Sequence, residues 1–216
     1  MKNPIILIII VSITLITFLG AIYLSSNSTN KQLPATYNQV LPSDHVTWNP
    51  QAKNILIIYS DFQCPACATL HAFIEKEIQT ASSASDIRSS TALVFRHYPL
   101  YQIHANAFDP ATAAESAGKQ GKFFEMISLL FSTQSEWVNK PEAEKHFISL
   151  AKKLNLDISL FEKDRKIQEV KNKIDSDIKS AEKAGISYTP TVYLNGSILE
   201  LTTFSDLLTA LRSPKK

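Results

Sequence analysis

Cysteine is nearly missing from this chain: there are two in 216 residues, Cys64 and Cys67. A scaffold stapled by several disulfides is therefore excluded. So is a zinc site built on two cysteine pairs, because no second pair exists. An excess of one charge is missing too. Lys and Arg number 22 against 20 Asp and Glu, the net charge is +2, and the signs are mixed along the chain. Nothing in that balance points to nucleic acid as a partner. Glycine is sparse, at 5 residues, while Lys, Ile, Ser and Asn are abundant, and no function follows from either. The hydrophobic fraction of 44% suffices for one domain of ordinary size with its own core.

Charge is also absent from Ile5 to Leu24, a run of 20 residues. At about 1.5 Å per residue it matches the hydrocarbon thickness of a bilayer. So long a run without a polar face argues against a buried core helix. A cleaved secretory signal has a shorter apolar core and a small-x-small site, for which Ser26-Asn27-Ser28 is a weak candidate. No cysteine follows the run, which excludes a lipoprotein anchor. An uncleaved signal anchor is the favoured reading, with a cleaved signal as the alternative. Lys2 precedes the run, so the N-terminus is expected in the cytoplasm and the bulk outside, in a single pass. The chain then divides into an anchor over 1–24, a polar tether over 25–44 and a globular domain over 45–212.

The two cysteines lie two residues apart in Asp61-Phe62-Gln63-Cys64-Pro65-Ala66-Cys67. An apolar run, Asn54 to Tyr59, precedes them and reads as a strand. Leu70, Phe73, Ile74 and Ile78 follow at helical spacing. The dithiol thus falls at a strand-to-helix junction with Cys64 opening the helix, and Pro65 suits the first helical position. A helix start offers unpaired N–H groups and partial positive charge, both of which favour a thiolate. In an exported chain a lone pair so placed reads as a redox-active dithiol. Three other readings compete. A disulfide here closes a very small loop and constrains little of the unfolded chain. A metal site needs more ligands, and His71, four residues beyond Cys67, is the one plausible third. Two unrelated buried thiols is the last.

Further along, Ala81 to Ser90 reads as a polar loop and Thr91 to His97 as the second strand, parallel to the first. His104 to Gly185 is helical throughout, with Pro110 starting or kinking a helix, Pro141 opening one, Asp157 capping one and Gly185 closing the last. Thr191 to Leu194 is a strand, Asn195-Gly196 a hairpin turn, Ser197 to Leu201 the returning strand and Phe204 to Leu211 a closing helix. Gln39 to Gln51, with Pro42, His45, Val46, Trp48 and Pro50, reads as an edge strand or an ordered approach to the domain.

This β-α-β, helical insertion, β-β-α order, an α/β class with Cys-x-x-Cys at its first junction, resembles the thioredoxin fold. With the insertion it resembles the DsbA-like thiol–disulfide oxidoreductases. The residues that carry the likeness are Tyr59 to Cys67, Val94 to Leu100, Gln120 to Met126 and Tyr188-Thr189-Pro190-Thr191. The resemblance implies that Cys64 is the nucleophile forming a mixed disulfide and Cys67 the buried partner resolving it. Pro65 and Ala66 tune the pair. Pro190 is cis against the dithiol, and the backbone of Thr189 pairs with a client strand. It implies exported protein thiols as substrates, no cofactor or metal, and a quinone-linked membrane reoxidant of the DsbB or VKOR-like type.

Two departures bear on direction. Many relatives carry a buried carboxylate six residues before the first cysteine, where this chain has Ile58, and the strongest oxidants carry histidine where this chain has Ala66. A pair less oxidising than the strongest members is expected. Oxidation of exported proteins is the leading reading. A reductase or isomerase is the second, although residues 25–53 are too short for an isomerase's dimerisation domain, so a monomer is expected. A copper or zinc delivery module using Cys64, Cys67 and His71 is the third.

Overall fold

The computed structural model describes residues 37–214. The anchor expected over 1–24 lies outside the described residues, as does most of the tether. Among the described residues no helix is long and apolar enough to cross a membrane.

A five-stranded sheet organises the domain in the order β1-β3-β2-β4-β5. The strands are β1 His45–Trp48, β2 Asn54–Ser60, β3 Thr91–His97, β4 Thr191–Leu194 and β5 Ser197–Ile198. β2 and β3 pair in parallel, with Asn54 opposite Thr91 and Ser60 opposite His97, and every other neighbouring pair is antiparallel. Every residue of β3 is buried, as are the last five of β2. Covered on both faces, these strands carry continuous apolar stretches, Ile55 to Tyr59 and Ala92 to Phe95, rather than alternation. A parallel pair requires a crossover, and α1 (Pro65–Ile74), prolonged by a π turn over Glu75–Gln79, supplies it.

The polar segment expected as a loop over Ala81 to Ser90 instead holds a 3-10 turn, Ser82–Ala84, and a short helix, α2 (Ser85–Ser90). Ala84 and Ile87 are each 1% exposed. Two apolar anchors in a serine-rich segment produce no periodicity, yet they suffice to dock one and a half turns against the core.

Between β3 and β4 the chain runs through α3 (Phe108–Gly118), α4 (Phe123–Ser132), α5 (Gln134–Trp137), α6 (Ala143–Lys153), α7 (Ile158–Asp164) and α8 (Gln168–Ala184). Helix begins at Phe108, later than His104, because the preceding loop is tied to the active-site turn. Pro110 sits in the first turn of α3, where a missing N–H costs nothing. Asp157 caps α7 by accepting from Leu160 N at 2.9 Å. Gly185 ends α8 at φ 74°, a left-handed conformation that suits glycine. Asn195 and Gly196, at φ 51° and 83°, make the turn between β4 and β5, and α9 (Ser205–Arg212) closes the chain. The strand expected to reach Leu201 ends at Ile198.

The sheet separates two cores. On one face Leu56, Ile58, Leu93, Val192 and Leu194 pack on α1 and α9. The second core is built by α3, α4, α6, α7 and α8, and it takes in Phe62, Cys64, Cys67 and Phe95. Residues 37–44, read above as tether, pack on the domain. Tyr37 is 1% exposed, stacks on Tyr193 and donates to Ser180 O at 2.6 Å. Asp44 accepts two hydrogen bonds from Arg96, at 3.0 and 2.8 Å, and both side chains are fully buried.

Candidate active site

β2 ends at Ser60, and the turn Asp61-Phe62-Gln63 delivers Cys64 to the N-cap of α1 with Pro65 as the first helical residue. The turn is held by Asp61, which is 1% exposed. Its carboxylate accepts from Gln63 N (2.7 Å), Leu100 N (2.8 Å) and the His104 ring (2.8 Å). Gln63 reaches across to accept from Asn106 N at 3.1 Å. The insertion clamps the same turn, because Gln134 at the start of α5 donates to Phe62 O at 2.8 Å and to Cys64 O at 3.0 Å. Gln134→Ala is expected to cost about 1–2 kcal/mol, the loss of two buried backbone partners, read as a lower urea midpoint.

Both cysteines are free thiols. Cys64 is 8% exposed and Cys67 2%. Their chemistry is opposed. Cys64 is pulled down to about 5, first by the Cys67 thiol beside it, against the cost of burial. The Thr189 side chain and the N–H groups of Cys67 and Ala66 at the helix start add to the lowering. Cys67 is pushed well above its ordinary value, chiefly by burial and then by the neighbouring Cys64 sulfur, with the Ser60 side chain acting the other way. One sulfur is a ready thiolate at neutral pH and the other is a protonated thiol pointing at it.

The facing wall comes from the other end of the domain. The Thr189–Pro190 peptide is cis, as expected. In its thiol form Cys64 Sγ donates to Thr189 O at 3.4 Å. The Thr189 hydroxyl is buried without a conventional partner, which leaves it free to donate to the thiolate form of Cys64. Pro65 and Ala66 are exposed between the sulfurs. His71 does not join the cysteines in a metal site. It turns to Ser128 Oγ at 3.2 Å and Glu75 at 3.6 Å, and among the described residues no three His, Cys, Asp or Glu side chains converge on a metal position. That geometry removes the basis for the metal-delivery alternative.

Sequence reasoning named Cys64, Cys67, Thr189 and Pro190; the structure sets Cys64 against Cys67 and Thr189, with Pro190 next in the chain. It missed Asp61, Gln63, Ser60 and Gln134. Asp61 had a local signal: an Asp whose carboxylate can accept from the N–H two residues on, just ahead of a helix start, is an Asx turn. Gln134 had none, since its partners lie about 70 residues away.

The sequence model of a thioredoxin family matches residues 41–213. The chain belongs to the thioredoxin family. Among curated relatives, the Na(+)/H(+) antiporter NhaA 1 of a Mycobacterium species is 33% identical over 157 residues, which cover 71% of this chain and 24% of the antiporter. The chain thus spans about a quarter of the length of the curated relatives it matches. Among solved structures, a thioredoxin-like oxidoreductase from Silicibacter pomeroyi superposes with a TM-score of 0.65 at 22% identity, covering 86% of this chain and 96% of that one. The thiol–disulfide exchange protein alpha-DsbA2 from Wolbachia pipientis superposes with a TM-score of 0.69 at 15% identity, covering 84% and 92%. The fold of this thioredoxin-family chain is therefore the DsbA-type one, in which helices are inserted between the second and third strands of the thioredoxin core.

Proposed function

We propose that this domain is a thiol–disulfide oxidoreductase that works outside the cytoplasm as an oxidase of exported proteins, tethered by its N-terminal apolar run. The observation that carries the reading is the opposed pair of sulfurs: Cys64 held as thiolate, Cys67 held as buried thiol. A client thiolate attacks Cys64 of the Cys64–Cys67 disulfide, and Cys67 leaves. A second client thiolate then attacks the client sulfur of the mixed disulfide. The client leaves oxidised and Cys64 departs as a stabilised thiolate. Thr189 and Pro190 line the place where the client backbone lies. An oxidase must itself be reoxidised, so a quinone-linked membrane protein of the DsbB or VKOR-like kind is the partner this reading requires.

Direction follows from how firmly the reduced form is held. A nucleophile at about 5 lies between thioredoxin, near about 7, and the strongly oxidising DsbA, near about 3.5. The reduction potential of Cys64–Cys67 is accordingly expected between about −270 and about −120 mV at pH 7. Equilibration in glutathione buffers, followed by thiol alkylation and mass shift, measures it. A potential at or below that of thioredoxin would reject the oxidase and leave a reductase.

A further inference from the structure

The redox reading leaves one proton without a path. When a client thiolate attacks Cys64, a sulfur–sulfur bond forms between client and Cys64. The Cys64–Cys67 bond breaks, and Cys67 departs with the electron pair. That buried sulfur must then take up one proton, and it must lose one again on reoxidation. Cys64 lies against it on one side. No carboxylate stands beside it on β2, where Ile58 occupies the wall.

Behind Cys67 the structure has a cavity of about 430 Å³ between α1, α4 and the sheet. Cys67, Ser60, His71, Glu75 and Ser128 all line it. Cys67, His71 and Glu75 follow one another at intervals of four on α1 and the π turn that continues it, so they run along one helix face from buried sulfur to surface. The three polar groups at the far end are joined: His71 Nε2 lies 3.2 Å from Ser128 Oγ, and Ser128 Oγ donates to Glu75 Oε1 at 3.1 Å. The His71 side chain is 18% exposed and that of Glu75 39%, so the carboxylate meets solvent. A cavity this roomy, with these polar groups in its lining, has room and partners for water.

The geometry points to a rear proton channel, in which the Glu75–Ser128–His71 relay and cavity water carry protons between solvent and Cys67. The inference rests on the oxidoreductase reading and adds residues that act through water rather than by touching sulfur. Burial lowers His71 to about 4, so the ring is neutral at working pH and can take a proton on one nitrogen while releasing one from the other. The titratable groups sharing the cavity with it are Cys67 and Glu75 from its own side and Glu125 from α4. The sheet contributes Thr47, Ile58, Ser60, Leu93 and Phe95, none of which titrates in the working range.

Stopped-flow reduction of the oxidised full chain by a dithiol peptide tests this, across pH 5 to 9 in H₂O and D₂O. His71→Gln keeps a polar partner for Ser128 and cannot relay. Its rate at pH 7 is expected to fall by about a hundredfold, the lower end of the range for loss of acid–base assistance, with a larger solvent isotope effect and an unchanged equilibrium potential. His71→Ala with added imidazole is expected to recover, and Glu75→Gln, a surface change that leaves folding intact, to slow the reaction in the same pH-dependent way. Rates and pH profiles equal to wild type in both His71→Gln and Glu75→Gln would overturn the channel. So would a shifted potential with no isotope effect, which indicates a static influence only. Failure of the unaltered chain to react with the peptide rejects the oxidoreductase reading itself, a separate outcome.

Discussion

Cys64→Ala is expected to abolish disulfide exchange, and Cys67→Ala to stall it halfway. At pH 7 a thiol at about 5 is almost wholly thiolate, whereas one at its ordinary value of 9.0 is about 1% so, a difference of about a hundredfold in attacking species. Cys67 cannot substitute, because it is 2% exposed and burial holds it protonated. With Cys67 removed there is no Cys64–Cys67 disulfide for a client thiol to attack; the Cys64 thiolate instead attacks a disulfide-bonded client, one client sulfur leaves as thiolate, and no internal thiol resolves the mixed disulfide that remains. Non-reducing gels should therefore show client adducts on Cys67→Ala and none on Cys64→Ala. Cys67→Ala carries a second expected change. The Cys67 thiol is the largest cause lowering Cys64, so iodoacetamide reactivity of the variant should titrate with a midpoint above the wild-type value of about 5. Adducts forming equally on Cys64→Ala would show that the helix-start cysteine is not the nucleophile.

The legible and illegible parts of this site differ in range. Cys64 and Pro65 announce themselves locally, since a helix cap and a first-turn proline depend only on near neighbours. β2 and β3 were legible because strands buried on both faces carry apolar runs, Ile55 to Tyr59 and Ala92 to Phe95, while Arg96 and His97 at the end of β3 are buried on partners the sequence does not mark. The turn at Asn195-Gly196 was legible because two successive positive φ values demand those residue types. The groups that hold the dithiol in place are another matter. Gln134 donates to carbonyls 70 and 72 residues away, and His104 to a carboxylate 43 away. A glutamine or histidine in a helical insertion carries no mark of such a partner. His97 is likewise an ordinary strand residue in the sequence, yet in the fold its ring lies 2.8 Å from Glu115, whose other oxygen lies 2.9 Å from His45. That chain links β3, α3 and β1, and it exists only once the insertion has folded back on the sheet.

The metal alternative failed for a related reason. Spacing alone put His71 one turn beyond Cys67, which is where a ligand could sit. Spacing does not say where a ring turns, and Ser128 on α4 supplied the partner that turned it. The same ring then becomes a candidate in proton transfer, a role that no ligand spacing suggests.

The largest pH effect is expected in stability, and it should belong to the reduced form alone. Folding lowers Cys64 from 9.0 to about 5, so between those values the unfolded chain binds the proton that the folded chain has released. Stability of the reduced protein therefore rises with pH across this window, the contribution being absent below about pH 5 and growing towards pH 9. Cys67, raised by burial, works in the opposite sense, but its contribution is lost only as pH passes above the ordinary thiol value. The disulfide form has neither thiol and lacks both effects. Urea unfolding of the two forms at pH 4.5, 6 and 7.5 should show a gap that opens in favour of the reduced protein as pH rises. The same linkage sets the redox slope. Between pH 5 and 9 reduction takes up one proton, at Cys67, with two electrons, so the potential should fall by about 30 mV per pH unit rather than about 60. A pH-independent gap with a 60 mV slope would mean that Cys64 is not held as thiolate. The driving force for oxidising clients would then have to come from elsewhere in the molecule.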